Sequence, residues 1–278
     1  MSQAQDVETT LFFQKGLYLN KTKAYEAAIL SYEAALDLKP DYPDAWYNRG
    51  NSLYHLGRYQ DAIESYDQAI DYQPGFPEAW NNRGNALDEL KRYEEAVYSY
   101  NQAVKYRANY YWAWYNRGIS LRNLERYDEA INSYDRAIEF KPDYHWAWYS
   151  RGLAFRKLGR LDKVVASYDK ALEFKPDFEE SWTNRGNALY HLGDFDAALE
   201  SYDRALSLKP ETATVWYNKA CCYAVQGKLD LAFDHLQKAI ELSPEEYREI
   251  AQVNADFDQL RHDDRFLSLL SIRSPRES

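Results

Sequence analysis

The sequence predicts an all-α solenoid built by stacking seven copies of one helix pair, and three observations carry that expectation. The string Ala113-Trp114-Tyr115-Asn116-Arg117-Gly118 recurs as Ala45-Trp46-Tyr47-Asn48-Arg49-Gly50, Ala79-Trp80-Asn81-Asn82-Arg83-Gly84, Ala147-Trp148-Tyr149-Ser150-Arg151-Gly152, Ser181-Trp182-Thr183-Asn184-Arg185-Gly186 and Val215-Trp216-Tyr217-Asn218-Lys219-Ala220, each copy 34 residues after the last. A blurred copy, Leu11-Phe12-Phe13-Gln14-Lys15-Gly16, stands one period upstream. A fixed period of this length marks a stacked architecture whose units bury their apolar faces only against one another. Within the second copy, Trp46, Gly50 and Leu53, then Tyr59, Ala62, Ile63, Tyr66, Ala69 and Ile70, fall three and four apart, which is the spacing of two helical stripes. Small residues hold fixed places throughout: glycine at Gly16, Gly50, Gly84, Gly118, Gly152 and Gly186, and alanine at Ala35, Ala69, Ala103, Ala137, Ala171, Ala205 and Ala239.

Taking the repeated tryptophan as position 4 places the units at 9–42, 43–76, 77–110, 111–144, 145–178, 179–212 and 213–246. Residues 1–8 are then an N-terminal tail, 247–270 capping helices and 271–278 a C-terminal tail. The first helix of a unit, A, ends at a break such as Leu56-Gly57-Arg58, where a left-handed residue costs glycine least. The second helix, B, ends before Pro40-Asp41, Pro142-Asp143 or Pro176-Asp177, which join a helix stop to an aspartate suited to capping the next A helix. The glycines at position 8 lie inside helix A at a cost of ~1 kcal/mol each against alanine, and the expectation is that they let two backbones approach closely. After residue 246 the period fails. Ser243, Pro244 and Glu246 make a capping-box pattern that predicts a helix to about Asn254, with a turn and a short helix beyond it covering the apolar side of the seventh unit.

The pattern Trp-x-x-x-Gly, then alanine, an aromatic, alanine and proline at positions 20, 24, 27 and 32, closely resembles the tetratricopeptide repeat, over about residues 9–246. The Asn-Arg-Gly and Ser-Tyr-Asp variants look most like bacterial arrays, cyanobacterial ones in particular. The resemblance implies a right-handed superhelix whose A helices line a concave groove that binds peptides or partner proteins. Three single positions depart from the pattern: Ala108 replaces proline, Val164 replaces alanine at position 20, and Leu236 replaces the aromatic at position 24, each expected to loosen one joint. Position 7, usually leucine in the family, is Arg49, Arg83, Arg117, Arg151 and Arg185, with Lys15 and Lys219 in the outer units, while position 25 is mostly acidic. A ladder of structural ion pairs is favoured over a basic ligand stripe, because a buried arginine needs a partner. The family's clamp for chaperone tails needs lysine at position 5, where this chain has Phe13, Tyr47, Asn81, Tyr115, Tyr149, Thr183 and Tyr217, so that clamp is not assembled.

Composition and motifs narrow the function classes. A balance of 34 Lys and Arg against 44 Asp and Glu, net −10, disfavours nucleic acid and anionic membranes as partners. No phosphate loop, metalloprotease helix, nucleophile elbow or calcium loop occurs, so the reading is non-enzymatic, with no cofactor and no metal. His55 and His191 share position 13 and read as solvated helix-end residues, and adjacent Cys221 and Cys222 match no zinc or redox spacing. The polar N-terminus, the two cysteines and the lack of a long apolar run read as a cytoplasmic chain without a transmembrane segment.

Candidate binding residues lie on helix A. Asparagine recurs at position 6 in Asn48, Asn82, Asn116, Asn184 and Asn218, and an amide both donates and accepts, so it can hold a ligand's backbone; the alternative is that these amides serve neighbouring helix ends. Helix spacing expects Trp112, Tyr115, Asn116, Ile119 and Arg122 to sit beside Trp146, Tyr149, Ser150, Leu153 and Arg156. The expected ligand is an extended protein or peptide segment mixing acidic and bulky apolar residues. The chain then acts as a scaffold or adaptor, with a regulatory or targeting subunit of an enzyme on another chain, or a self-associating array, as the rivals.

Overall fold

The computed structural model describes residues 3–271, and every element among them is helical. The chain divides into two compact units, Met1–Pro142 and Asp143–Ser278. The first holds α1 (Gln3–Lys21), α2 (Tyr25–Leu38), α3 (Pro43–His55), α4 (Tyr59–Tyr72), α5 (Pro77–Glu89), α6 (Tyr93–Tyr106), α7 (Tyr111–Asn123) and α8 (Tyr127–Phe140). The second holds α9 (His145–Lys157), α10 (Leu161–Phe174), α11 (Glu179–Leu192), α12 (Phe195–Leu208), α13 (Ala213–Val225), α14 (Leu229–Leu242), α15 (Pro244–Val253), a 3-10 helix (Ala255–Leu260) and α16 (Asp264–Ser271). Within each unit every A helix packs on the B helix that follows it, and that B helix on the next A helix.

The period explains the packing residue by residue. The position-27 alanines are fully buried, and so is the position-24 ring of Tyr32, Tyr100, Tyr134 and Tyr168. Each position-8 glycine makes room for the tyrosine ring of its own pair: a Cβ built on Gly118 would stand 2.4 Å from Tyr134, and one on Gly84 2.6 Å from Tyr100. The glycine therefore admits a ring, where the sequence suggested a close approach of two backbones. In the seventh pair Ala220 and Leu236 replace that glycine and tyrosine, and both are completely buried. Both belong to one buried core cluster, so this departure leaves the joint without solvent access. Val164 is likewise completely buried. Ala108 costs nothing visible either, since the Trp114 indole N–H donates to its carbonyl at 2.8 Å, as Trp46 does to Pro40 and Trp182 to Pro176.

The position-7 cations form a structural ladder. Arg49 reaches Glu33 at 2.8 Å and Ser65 at 2.6 Å, and Arg83 reaches Asp67 at 2.6 Å and Ser99 at 2.7 Å. Each thus ties the B helix of the preceding pair to the B helix of its own. In the second unit Arg185 joins Asp169 to Ser201, both at 2.6 Å, and Lys219 binds Asp203. Each cation also lies against its unit's tryptophan, Arg151 at 4.3 Å from the centre of Trp148.

The turn after helix A is left-handed, at Gly57, Gly159, Gly193 and Gly227, but also at Lys23, Lys91 and Glu125. The aspartates of the Pro-Asp turns do not cap: the N-cap residues of α3, α9 and α11 are Tyr42, Tyr144 and Phe178, with no side-chain cap bond. Their rings serve packing instead, Phe13 lying 4.8 Å from Tyr42 and Tyr149 4.8 Å from Phe178. At the N-terminus helix α1 begins at Gln3, so residues 3–8 extend the first helix where a tail was expected, with the Thr9 and Thr10 hydroxyls bonded to the carbonyls of Gln5 and Asp6. At the other end, the expected capping box does not close; the Ser243 hydroxyl donates to the Glu246 carboxylate at 3.2 Å. Tyr247, Phe257, Leu260 and Phe266 are nonetheless buried against α13 and α14. Of the expected C-terminal tail, Ser271 closes α16 and 272–278 lie outside the described residues.

Candidate functional site

The A helices present positions 5, 6, 9 and 12 on one side, and the cavities of each unit open there. In the first unit a cavity of about 290 Å³ is lined by Asn20, Asn51, Tyr54, His55, Tyr66, Asn82 and Asn85. An adjoining one of about 480 Å³ shares Tyr54 and Asn85 and adds Asn81, Asp88, Glu89, Tyr100, Tyr110, Trp112, Asn116 and Ile119. In the second unit a cavity of about 890 Å³ lies among α11, α13 and the C-terminal segment, with Arg156, Asn187, Tyr190, His191, Tyr217, Asn218, Cys221 and Asp256 in its wall.

The asparagines of position 6 are partly spent on the fold. Asn82 donates to Asn51 at 2.9 Å and to the Tyr47 hydroxyl at 3.1 Å, Asn116 to Asn85 at 3.0 Å, and Asn218 to Asn187 at 2.8 Å. The position-9 amide oxygens also accept from the buried tyrosines, Tyr66 at 2.9 Å on Asn51 and Tyr100 at 2.8 Å on Asn85. Asn184 donates to the Tyr149 hydroxyl at 3.1 Å, and Asn48 turns back to the Asp44 carbonyl of its own helix at 2.8 Å. The amide ladder therefore links successive pairs within a unit while still lining the cavities. Asn51, Asn85 and Asn187 complete it, and their recurrence at position 9 was a signal in the sequence that the position-6 repeat overshadowed.

The remaining candidates separate. Trp112 exposes 43% of its surface and, with Asn116 and Ile119, lines the 480 Å³ cavity; Arg122 is half-buried on the same helix. Tyr115 packs 6.0 Å from Tyr134, as a joint ring. In the second unit Trp146 lies 4.8 Å from Phe178, Leu153 is half-buried, and Arg156 is exposed, donating to Asn184 at 3.4 Å. Ser150 is buried, so it offers a ligand nothing.

One side chain in this face is electrostatically unusual. Asp88 accepts the Ser120 hydroxyl on both oxygens, at 2.7 and 2.9 Å, and shares with Asn85 the one proton of the Tyr100 hydroxyl, 2.7 Å away. Burial pushes its carboxyl up to about 6, against the pull of those two hydroxyls, with neighbouring Glu89 adding to the rise. Elsewhere, burial carries the Cys222 thiol up to about 12 and the Cys221 thiol higher, which leaves both protonated and unreactive at neutral pH. His55 stacks on Tyr25 at 4.9 Å, and His191 lines the second unit's cavity. Among the described residues no group of three or more His, Cys, Asp or Glu could hold a metal ion, and no helix is long and apolar enough to cross a membrane.

Comparison with known proteins identifies the repeat and the structures that share its fold. A family model for the tetratricopeptide repeat matches residues 15–71, 50–110 and 183–247, and a second, for the TPR repeat, matches 120–159 and 152–193. Among solved structures, the C-terminal part of a TPR repeat-containing protein from Cytophaga hutchinsonii is 17% identical with a TM-score of 0.74, over 87% of this chain and 99% of that one. YrrB, a TPR protein with an unusual peptide-binding site, is 23% identical with a TM-score of 0.62, over 68% of this chain and 98% of its own. MamA is 26% identical with a TM-score of 0.58, over 61% and 92%. No curated protein matches the sequence.

Proposed function

The chain belongs to the tetratricopeptide repeat family, and from that premise we propose that it is a non-enzymatic interaction scaffold that binds an extended peptide or partner protein on its A-helix faces. The observation that carries the reading is the run of cavities on that face in the first unit, where two adjoining hollows share the Tyr54 and Asn85 wall. Adjoining hollows walled by amides and rings suit consecutive residues of an extended chain. The peptide-binding site described for YrrB, which shares the fold, supports the same class of ligand. Arg122 in the first unit and Arg156 in the second each add a cationic group at position 12, so a segment on either face carries acidic residues beside bulky apolar ones.

Selection of a displayed random peptide library on the intact chain tests this. Peptides that emerge should contain acidic and apolar residues, and Arg122→Ala or Arg156→Ala should each weaken their binding by about 1 to 2 kcal/mol, less at high salt. Asp61→Ala with Glu64→Ala, on the B-helix surface, should leave binding unchanged. If that pair matters and the arginines do not, the A-helix face is not the binding surface.

A further inference from the structure

We propose that the 480 Å³ cavity of the first unit receives the guanidinium of an arginine on the bound segment, with Asp88 and Glu89 as its anionic wall and Tyr54 and Trp112 as its stacking surfaces; the third ring in the wall, Tyr110, already carries the chain's own Arg107, 5.0 Å from its centre. This deepens the peptide-binding reading and rests on it. None of the residues lining the cavity is basic, so the two carboxylates meet no counter-charge inside it. Asp88 accepts only hydroxyls, which supply no positive charge, and its Oδ1, holding one shared Ser120 bond, retains acceptor capacity. The Glu89 carboxylate accepts the Tyr54 hydroxyl at 3.2 Å, and this ties one carboxylate to one of the rings. Trp112 leaves 43% of its surface open at the rim. A planar cation that takes two hydrogen bonds from a carboxylate while stacking on an aromatic face is the ligand this set matches, and guanidinium does both better than ammonium.

The repeat supplies its own control. Position 12, occupied here by Asp88, is Asn20, Tyr54, Arg122, Arg156, Tyr190 and Ala224 in the other pairs. Stacking therefore does not require a carboxylate there. A half-buried carboxylate whose burial disfavours its charged form weakens the folded state at neutral pH, and a neutral residue at the same position serves the stack elsewhere. An acid retained at that cost fits a role toward a cationic ligand. The arginine-accepting cavity lies in the first unit, and Arg122 stands half-buried at position 12 of α7 in the same unit, so a segment on this face carries both signs of charge.

The test uses the full chain and a blocked Gly-Arg-Gly-Leu peptide, against the same peptide with neutral, near-isosteric citrulline in place of arginine. Binding is followed by titration with indole and amide NMR shifts. The expected result is a preference for arginine of about ten- to a hundredfold, with the Trp112 indole signal moving. Asp88→Asn with Glu89→Gln should abolish the preference while melting no lower than the parent, which separates loss of charge from loss of fold. Equal binding of the two peptides, or a preference that survives the double variant, overturns the proposal. Should library peptides still bind through Arg122 and Arg156 in that event, only the arginine assignment falls; should no peptide bind this face at all, the scaffold reading falls with it.

Discussion

The joint between α7 and α8 and the joint between α13 and α14 solve one packing problem in two ways. The first sets Gly118 against the buried ring of Tyr134, the second Ala220 against Leu236. Both are fully packed, so what the period specifies at positions 8 and 24 is a combined volume, and the identity of each residue follows from that of the other. A repeat protein in this sense carries its own substitution experiments, because the same site is filled differently in successive pairs.

The largest effect should come from breaking that match. Gly118→Ala improves intrinsic helix propensity by ~1 kcal/mol, but its Cβ stands 2.4 Å from a ring that has no room to turn, since Tyr134 is completely buried. Overpacking wins, and the variant should lose about 1 to 3 kcal/mol in denaturant unfolding. Adding Tyr134→Leu should recover most of the loss by copying the seventh pair, a coupling that a double-mutant cycle reads directly. Tyr134→Leu alone should destabilise through the cavity left by the ring. If the double variant is as unstable as the sum of the singles, volume matching is the wrong account.

A second comparison concerns the ladder. Arg83 faces the Asp67 carboxylate, but Arg117, at the same position, faces the neutral Asn101 at 2.7 Å. Burial lowers the Arg117 pKa, a sign that its charge is poorly compensated. Asn101→Asp should therefore stabilise by about 0.5 to 1 kcal/mol, with the gain fading in high salt. Arg83→Ala should cost about 1 to 3 kcal/mol, since it removes the ion pair, the Ser99 bond and the cover over Trp80. Thermal melts at two ionic strengths check both; a salt-independent gain at Asn101→Asp would point to packing instead of charge.

These pairs also show what the sequence could and could not reveal. Helix stripes, the glycine–tyrosine spacing and the arginine–acid spacing recur, and recurrence at 34 residues separates a structural requirement from an accident; that is why the fold and the ladder were legible. Two kinds of feature were not. The reciprocal fit of Ala220 with Leu236, and of the left-handed turns with their lysine and glutamate, depends on three-dimensional neighbours that no single position announces. Asp88 was hidden for the opposite reason: it is the one acid at a position otherwise held by Asn20, Tyr54, Arg122, Arg156, Tyr190 and Ala224, so a pattern built on repetition passes over it. The asparagines of position 6 were found because they repeat, yet repetition is also what a structural role produces, and most of their donor capacity goes to the amides and tyrosines of adjacent pairs.

The smallest effect isolates backbone conformation alone. Gly57 and Lys91 occupy the same turn in successive pairs, with φ of +74° and +59°. A Cβ added at Gly57 meets no heavy atom within 4 Å, so the site charges only for the left-handed conformation. That strain is partly offset because glycine loses more conformational freedom on folding than any other residue. Gly57→Ala should cost about 0.5 to 1 kcal/mol, and Lys91→Gly should return a similar amount. The lysine keeps its turn because Arg92 N–H still closes on the Leu87 carbonyl at 2.9 Å, as Arg58 does on Leu53 at 2.9 Å, and Lys91 N–H on Asp88 at 2.8 Å, as Gly57 does on Tyr54 at 2.9 Å, so both turns keep these two closing bonds. Parallel unfolding curves for the two variants decide it. If Lys91→Gly destabilises, the lysine side chain makes a contact worth more than the relieved strain, and the turns are matched to their residues as the helix joints are.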